Sequence, residues 1–259
     1  MRSPVPDSAS LWQTYCAGLV PATTVSRAAE TRLEPGFAAG LSGEPHPEMN
    51  YGVVWGEAAA EEHLRTYVGL LRDRGRGGYV NLSQSLAAPL EPVCLDLGLE
   101  LETVTPLMTR PPDPTPRRGA SFVVGRADDA AGRHAVAVVT AQAFAVPLDQ
   151  VDRAMGAGAQ AVPGVDYFVA WANGTPVSCA ITGTVAGHVG FFNVATVPAC
   201  ARHGAATAVT EYAIDFHAAH ARLYLLTASD EGRGLYERCG FSTVELSPCW
   251  LLEQNGPLQ

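Results

Sequence analysis

Residues 193–210, Asn-Val-Ala-Thr-Val-Pro-Ala-Cys-Ala-Arg-His-Gly-Ala-Ala-Thr-Ala-Val-Thr, change conformational preference within a few positions. Val194, Thr196 and Val197 favour extended backbone, and Pro198 ends a strand ladder because it has no N–H to donate. A short polar turn reaches Gly204, and an Ala-rich helical stretch follows. A strand, a glycine-bearing turn and a helix N-terminus in succession form an anion site. The first helical turn has unpaired N–H groups, and its dipole favours negative charge there. Gly204 removes the Cβ where a phosphate must approach the backbone.

Downstream, Leu223–Ala228 reads as a further strand. It runs into Ser229-Asp230-Glu231-Gly232-Arg233-Gly234-Leu235-Tyr236-Glu237-Arg238-Cys239-Gly240-Phe241. The two stretches, in this order and spacing, resemble the GNAT superfamily of acyl-CoA-dependent N-acyltransferases. The family's later element reads A-S-x-x-G-x-x-L-Y-E-x-x-G-F, which Ala228–Phe241 matches. Its pyrophosphate loop carries a basic residue or Gln three places after the proline; here that place is Ala201, followed by Arg202 and His203. The resemblance covers roughly Ser121 to Leu252.

At 259 residues the chain is long for one such domain, and its 47% hydrophobic residues suffice for a packed core. Every basic residue apart from histidine is arginine. The absence of lysine excludes a lysine Schiff base and a Walker-type phosphate lysine. The formal net charge of -9 argues against nonspecific binding to nucleic acid. No apolar run is long enough to cross a membrane, and the N-terminus has no signal-peptide pattern, so the expected location is cytoplasmic. Cys16, Cys94, Cys179, Cys200, Cys239 and Cys249 are scattered without metal-like spacing. No metal is expected, and the cysteines read as free thiols, with Cys200 the more exposed.

The first half reads as a helix over Ser8–Val20 capped by Ser8 or Ser10, with short strands at 31–33, 37–41, 51–55 and 79–82. Helices are expected over 58–74 and 86–97, and two short strands at 101–104 and 107–108. Arg110 to Arg118 is dense in proline and favours an extended, stiff spacer. The second half reads as a strand at 121–125, helices over 128–144 and 147–157, and a hairpin of 167–171 and 177–184 about Asn173-Gly174. Strands are then expected at 188–197 and 223–228, a helix around Tyr236, and two last strands at 241–246 and 250–252.

The halves resemble each other. Gly98 precedes Pro106 by the distance at which Gly240 precedes Pro248, and Met49-Asn50-Tyr51 parallels Phe192-Asn193-Val194. A duplicated unit accounts for length, linker and repeat together. The expected class is therefore α+β, with tandem GNAT folds, each a mixed, mostly antiparallel sheet flanked by helices. Residues 1–111 form a degenerate half without a glycine-bearing loop after Trp55, residues 112–119 the linker, and residues 120–259 the catalytic domain. The first half is expected to cover the sheet edge and shape the acceptor pocket.

The resemblance implies transfer of an acetyl or other acyl group from acyl-CoA to the amine of a small molecule, by direct attack in a ternary complex. It implies that a strand around Val194, Ala195 and Thr196 splays from its neighbour and binds the donor's pantetheine arm. Arg202, His203, Gly204, Ala205, Ala206 and Thr207 would hold the pyrophosphate. Tyr236 would protonate the departing thiolate, and Asn193 would orient an acceptor or a water. Ser229 would cap the Tyr236 helix or bond near the cofactor. Phe144–Leu148, Phe191, Phe192 and Trp171 are candidates for the acceptor pocket. No general base stands out: Asp166, Glu211 and His188 are available but read more readily as surface or structural groups, and a water chain would also serve. Two other readings stay open. One is a donor carried on a carrier protein or tRNA, suggested by Ala201; the other is a noncatalytic acyl-CoA-binding module. A monomer or weak dimer is expected, because two fused halves imitate a dimer.

Overall fold

The computed structural model describes residues 7–113, 122–127 and 129–254. Its strands join one eleven-stranded sheet. The first half contributes α1 (Ser8–Thr23), β1 (Glu30–Glu34), β2 (Phe37–Leu41), β3 (Asn50–Val54), α2 (Ala60–Asp73), β4 (Gly78–Leu82), α3 (Gln84–Asp96) and β5 (Glu100–Arg110). The second contributes β6 (Val123–Arg126), α4 (Ala130–Phe144), α5 (Leu148–Met155), β7 (Val165–Ala172), β8 (Thr175–Val185), β9 (His188–Thr196), α6 (Ala205–His217), β10 (Leu223–Thr227), α7 (Asp230–Arg238) and β11 (Ser242–Leu252). The class is α+β, as the sequence implied. The linker expected at 112–119 lies mostly outside the described residues, as do Ser121 and Asp128.

The strand order is β1-β2-β3-β4-β11-β5-β10-β9-β8-β7-β6. Only β3–β4 and β9–β10 are parallel. The two halves exchange their last strands: β11 pairs with β4 of the first half, and β5 pairs with β10 of the second. β5 and β11 pair with each other between them.

Each exchanged strand was expected as two pieces, and each is continuous. Pro106 and Pro248 do not break them. The Ala228 N–H donates to the Pro106 carbonyl at 3.1 Å, so the nitrogen of Pro106 faces the side on which β10 has just ended. Its missing N–H therefore forgoes at most one bond, to the residue just past β10, and none to β11. Pro248 stands likewise one residue beyond the end of β4's pairing. The Gly98–Pro106 and Gly240–Pro248 correspondence thus holds in space, and both glycines have positive φ, 65° and 88°. The other parallel does not hold. Asn50 begins β3 at its paired end, whereas Asn193 sits beyond the last β9–β10 pair, so the two asparagines are out of register.

Alternation along the strands separates two faces. Phe37, Ala39 and Leu41 pack with α2 and α3, while Ala38 and Val53 meet α1 on the opposite face. Helix α1 reaches across the seam between the halves: Leu11, Trp12, Tyr15 and Cys16 pack on Leu107, Leu225 and Phe192 as well as Ala38 and Val53. Its N-cap is Asp7, whose carboxylate accepts from the Ser10 N–H at 2.9 Å, in place of the serines expected there. Trp12 Nε1 and Ser8 Oγ both donate to Glu245 of β11. No helix among the described residues is long and apolar enough to cross a membrane.

Candidate active site

Strands β9 and β10 are paired only from Leu223–His188 to Leu225–Gly190. Beyond Gly190, residues 191–196 of β9 keep their ladder to β8 but have no strand partner on the β10 side among the described residues. The Val197 N–H bonds the Val177 carbonyl of β8 at 3.0 Å, so alternation turns the backbone groups of Thr196 and Val194 toward the opening. Ala195 is buried and faces β8, where its carbonyl accepts from Ser178 Oγ at 2.7 Å.

Asn193 interrupts the β8–β9 register with φ at 47°, a left-handed conformation that asparagine tolerates better than most residues. The bulge turns its amide to Thr140 of α4, with Nδ2 donating to Oγ1 at 2.8 Å. This bond holds the side chain at the junction of β9 and α4.

After β9, a single 3-10 turn (Pro198–Cys200) leads to Ala201, Arg202, His203 and Gly204. Arg202 and Gly204 both take positive φ, 61° and 88°. Gly204 occupies the N-cap of α6, and no side chain caps that end. A Cβ at Gly204 would meet nothing within 4 Å, so the loop is open on the side where a ligand's phosphate would arrive. The first-turn N–H groups of Ala205, Ala206 and Thr207 have no preceding helical carbonyls to bond, and Arg202 and His203 are exposed beside them. Ala201 is exposed and supplies no charge. Cys200 is half-buried while the other five cysteines are buried, as expected.

Ser229 caps α7, its Oγ accepting from the Gly232 N–H at 3.1 Å. The cap directs α7 so that Tyr236 turns inward, where its ring meets Phe241 edge-on at 5.9 Å between centroids. Burial pushes the Tyr236 phenol well above its ordinary value, with Cys239 and Tyr15 adding to the effect. Tyr15 of α1 belongs to the same neighbourhood. Its hydroxyl lies 3.2 Å from Thr227 Oγ1 at the end of β10, and its ring meets Phe192 at 5.2 Å. Nothing in the periodicity of α1 marked Tyr15 for this place, because its contacts are made across the halves.

A cavity of about 250 Å³ opens between the halves, on the face that carries α1 and α4. Phe192 and Asn193 form its wall toward β9, and Phe144 and Val146, from the junction of α4 and α5, form another. Of the aromatic candidates, Phe192 lines this space. Phe191 is buried against Tyr224 and Phe241, and Trp171 lies on β7 away from the cavity. The first half contributes Met49 and Tyr51 and one carboxylate, Glu48, on the 3-10 turn Pro47–Met49.

None of the three candidate bases lines this cavity. Asp166 pairs with Arg126 at 2.6 Å, Glu211 is buried on α6, and His188 begins β9 at its far end. Glu48 escaped sequence reading because its distance from every motif is long in the chain and short only in space. The first half has no equivalent opening. β3 and β4 pair through Val54–Leu82, and the N-terminal turn of α2 carries Glu61 and Glu62, which repel an anion.

Residues 163–243 match the model of the acetyltransferase (GNAT) domain. None of the curated proteins compared with the chain matches it significantly. A GCN5-related N-acetyltransferase from Kribbella flavida has a similar structure, with TM-score 0.67 and 19% identity over 98% of both chains. One from Sphaerobacter thermophilus gives TM-score 0.57 and 12% identity over 100% of this chain and 96% of that one. A tandem GNAT protein from the clavulanic acid biosynthesis pathway gives TM-score 0.52 and 13% identity, over 96% and 95%. Residues 163–243 therefore carry the match to the GNAT domain, and the chain as a whole shares the fold of these GNAT structures.

Proposed function

We propose that this protein is an N-acyltransferase that moves an acetyl or other short acyl group from acyl-CoA to the amine of a small molecule. The observation that carries this reading is the end of β9–β10 pairing at Gly190–Leu225, beside the uncapped N-terminus of α6. An open strand edge accepts an extended, amide-bearing arm as an added strand would be accepted. The helix terminus beyond it suits the pyrophosphate to which that arm is joined. The two features sit in sequence along one stretch of chain, at residues 191–196 and 202–207.

In this reading the N–H and carbonyl groups of Val194 and Thr196 hold the pantetheine arm. A backbone N–H at the splay polarises the thioester carbonyl. The neutral amine attacks the carbonyl carbon, so that a C–N bond forms and the C–S bond breaks. Tyr236 donates its phenolic proton to the departing thiolate, and the proton released from the amine passes to a base or to solvent. Asn193, fixed by Thr140, lines the cavity that the amine must pass.

The test is calorimetric titration with acetyl-CoA, alongside an Arg202→Glu, Gly204→Glu double variant. Micromolar binding that disappears in the folded variant supports the site, and a thiol-release assay with an amine panel then reads the transfer. No binding by the folded protein would remove acetyl-CoA as donor. The search would then turn to carrier-bound or tRNA-bound acyl groups, the alternative that Ala201 favours.

A further inference from the structure

The cavity between the halves has mostly apolar walls and a charge of one sign. Leu19, Val25, Met49, Phe144, Met155 and Ile181 face it with Phe192, and among the described residues Glu48 is the only charged one along it. Its polar members are engaged by protein groups: Thr23 Oγ1 donates to the Tyr51 hydroxyl at 2.9 Å, Asn193 Nδ2 to Thr140 Oγ1 at 2.8 Å, and Ser42 Oγ accepts from the Glu44 N–H at 3.1 Å. Arg153 on α5, one of the wall helices, is neutralised elsewhere. Its guanidinium meets both Glu44 oxygens, at 2.9 and 2.8 Å, and Asp149 at 2.8 Å. Glu48 has one modest partner, the Tyr79 hydroxyl at 3.2 Å on Oε1, which leaves Oε2 for another donor. The carboxylate stands at the mouth, in contact with solvent, while the apolar body of the cavity lies further in.

We infer that the acceptor is a monocationic amine on a compact apolar body, an arylalkyl or branched alkyl amine, and that Glu48 of the first half recognises its ammonium form. This rests on the acyltransfer reading given above and narrows its substrate. A volume of about 250 Å³ falls just below the ~300–1,000 Å³ of pockets that enclose drug-sized ligands. The space suits a body of metabolite size. A polyhydroxylated amine would bury several hydroxyls in a mostly apolar space whose few polar side chains already bond protein groups, and each hydroxyl left unpaired weakens binding. A diamine would bring a second ammonium into a cavity with one carboxylate. Met49 and Met155 give the walls unbranched side chains that adapt to the shape of the apolar group.

Partial burial and the charge of Glu102 act together on Glu48, and burial is the larger influence. Both raise its carboxyl above the ordinary value, so the anion gains from a cation beside it. The exchange is a proton-free recognition at the mouth, after which the amine must be deprotonated before it attacks.

The experiment uses the full chain and four probes: 2-phenylethylamine, 2-phenylethanol, putrescine and glucosamine. Calorimetry at neutral pH, without donor, reads binding to the wild type and to Glu48→Gln. Acetyl transfer from acetyl-CoA is then followed for the three amines. The expected result is 2-phenylethylamine binding that weakens at least tenfold in Glu48→Gln, while binding of the neutral alcohol changes less than twofold. The expected preference in kcat/KM over glucosamine and putrescine is at least a hundredfold. Preference for a polar or dicationic amine, or equal loss of amine and alcohol binding in the variant, overturns the inference. If acetyl-CoA fails to bind, the acyltransfer reading falls by itself, and the donor-free titrations still decide whether Glu48 selects an apolar cation.

Discussion

Thr105 of β5 and Ser247 of β11 lie opposite each other in the ladder that joins the two halves, and they hold equivalent places in those halves. Thr105 Oγ1 donates to the Ser247 carbonyl at 3.3 Å, and Asn81 Nδ2 reaches both hydroxyls, at 2.8 and 3.1 Å. The approximate twofold relation of the halves passes through this pair. On either side of it, Pro106 faces Leu246 and Pro248 faces Val104. The seam is therefore built from both ends of the chain. A first half cut before residue 112 would lose β11, the strand that covers β4, and a second half alone would lose β5, which covers β10.

The consequence is cooperative unfolding. The whole chain should melt in one calorimetric transition, with equal calorimetric and van't Hoff enthalpies. Residues 1–111 or 120–259 expressed alone should show no cooperative transition. Two separate transitions in the intact protein would show that the exchanged strands do not couple the halves.

Much of the second half was legible because its signals are local. Asn173 and Gly174 form the hairpin with φ at 51° and 79°, Ser229 caps α7, and Gly204 takes the left-handed turn at the start of α6. Each of these depends on neighbours within a few residues. The exchange of β5 and β11 left no such mark. Leu101–Met108 has the same alternation whichever half it joins, and Pro106 argued for an interruption that the end of β10 makes unnecessary. Glu48 and Tyr15 were missed for the same reason. A short 3-10 turn and a largely apolar helix carry no sign that a cavity and a splayed strand of the other half lie against them.

At the anion loop, Gly204→Ala and Gly204→Glu separate backbone strain from charge. With φ at 88°, any side chain costs about 1 kcal/mol of backbone strain, and both variants should lose similar stability. The alanine meets no atom within 4 Å, so acetyl-CoA binding should weaken only severalfold. The glutamate brings a negative charge to the helix terminus, and binding should weaken by a further factor of thirty or more. Equal affinities for the two variants, read by calorimetry, would place the pyrophosphate elsewhere.

Tyr236→Phe should lower kcat about 10²-fold, within the range general acids contribute, and leave acetyl-CoA affinity within threefold. The sign of the pH effect follows from burial. A phenol raised well above its ordinary value stays protonated through the whole alkaline range in which the protein can be assayed. The wild-type rate should therefore show no fall between pH 8 and 10 from loss of this proton. An alkaline limb that vanishes in Tyr236→Phe would mean the phenol is solvated. An unchanged kcat would leave Tyr236 as a packing residue against Phe241.

His217, at the end of α6, should set the acid limit of stability. Its ring is buried, with Nε2 2.9 Å from Thr182 Oγ1 and Nδ1 3.2 Å from His220 Nε2. Burial, then His220 and Arg126, push it down from 6.5 to about 4. Asp166 lies 3.9 Å away but is engaged by Arg126 at 2.6 Å, which limits its help to an imidazolium. Between these two values the unfolded chain binds the proton and the folded chain does not. The contribution is complete above pH 6.5, declines as pH falls, and is exhausted near pH 4. The full loss is at most about 3 kcal/mol, from ~1.4 kcal/mol per pH unit. His217→Gln should keep the bond to Thr182 and flatten the fall of Tm between pH 6.5 and 4.5. A wild-type slope that persists in this variant would assign the acid sensitivity to other groups.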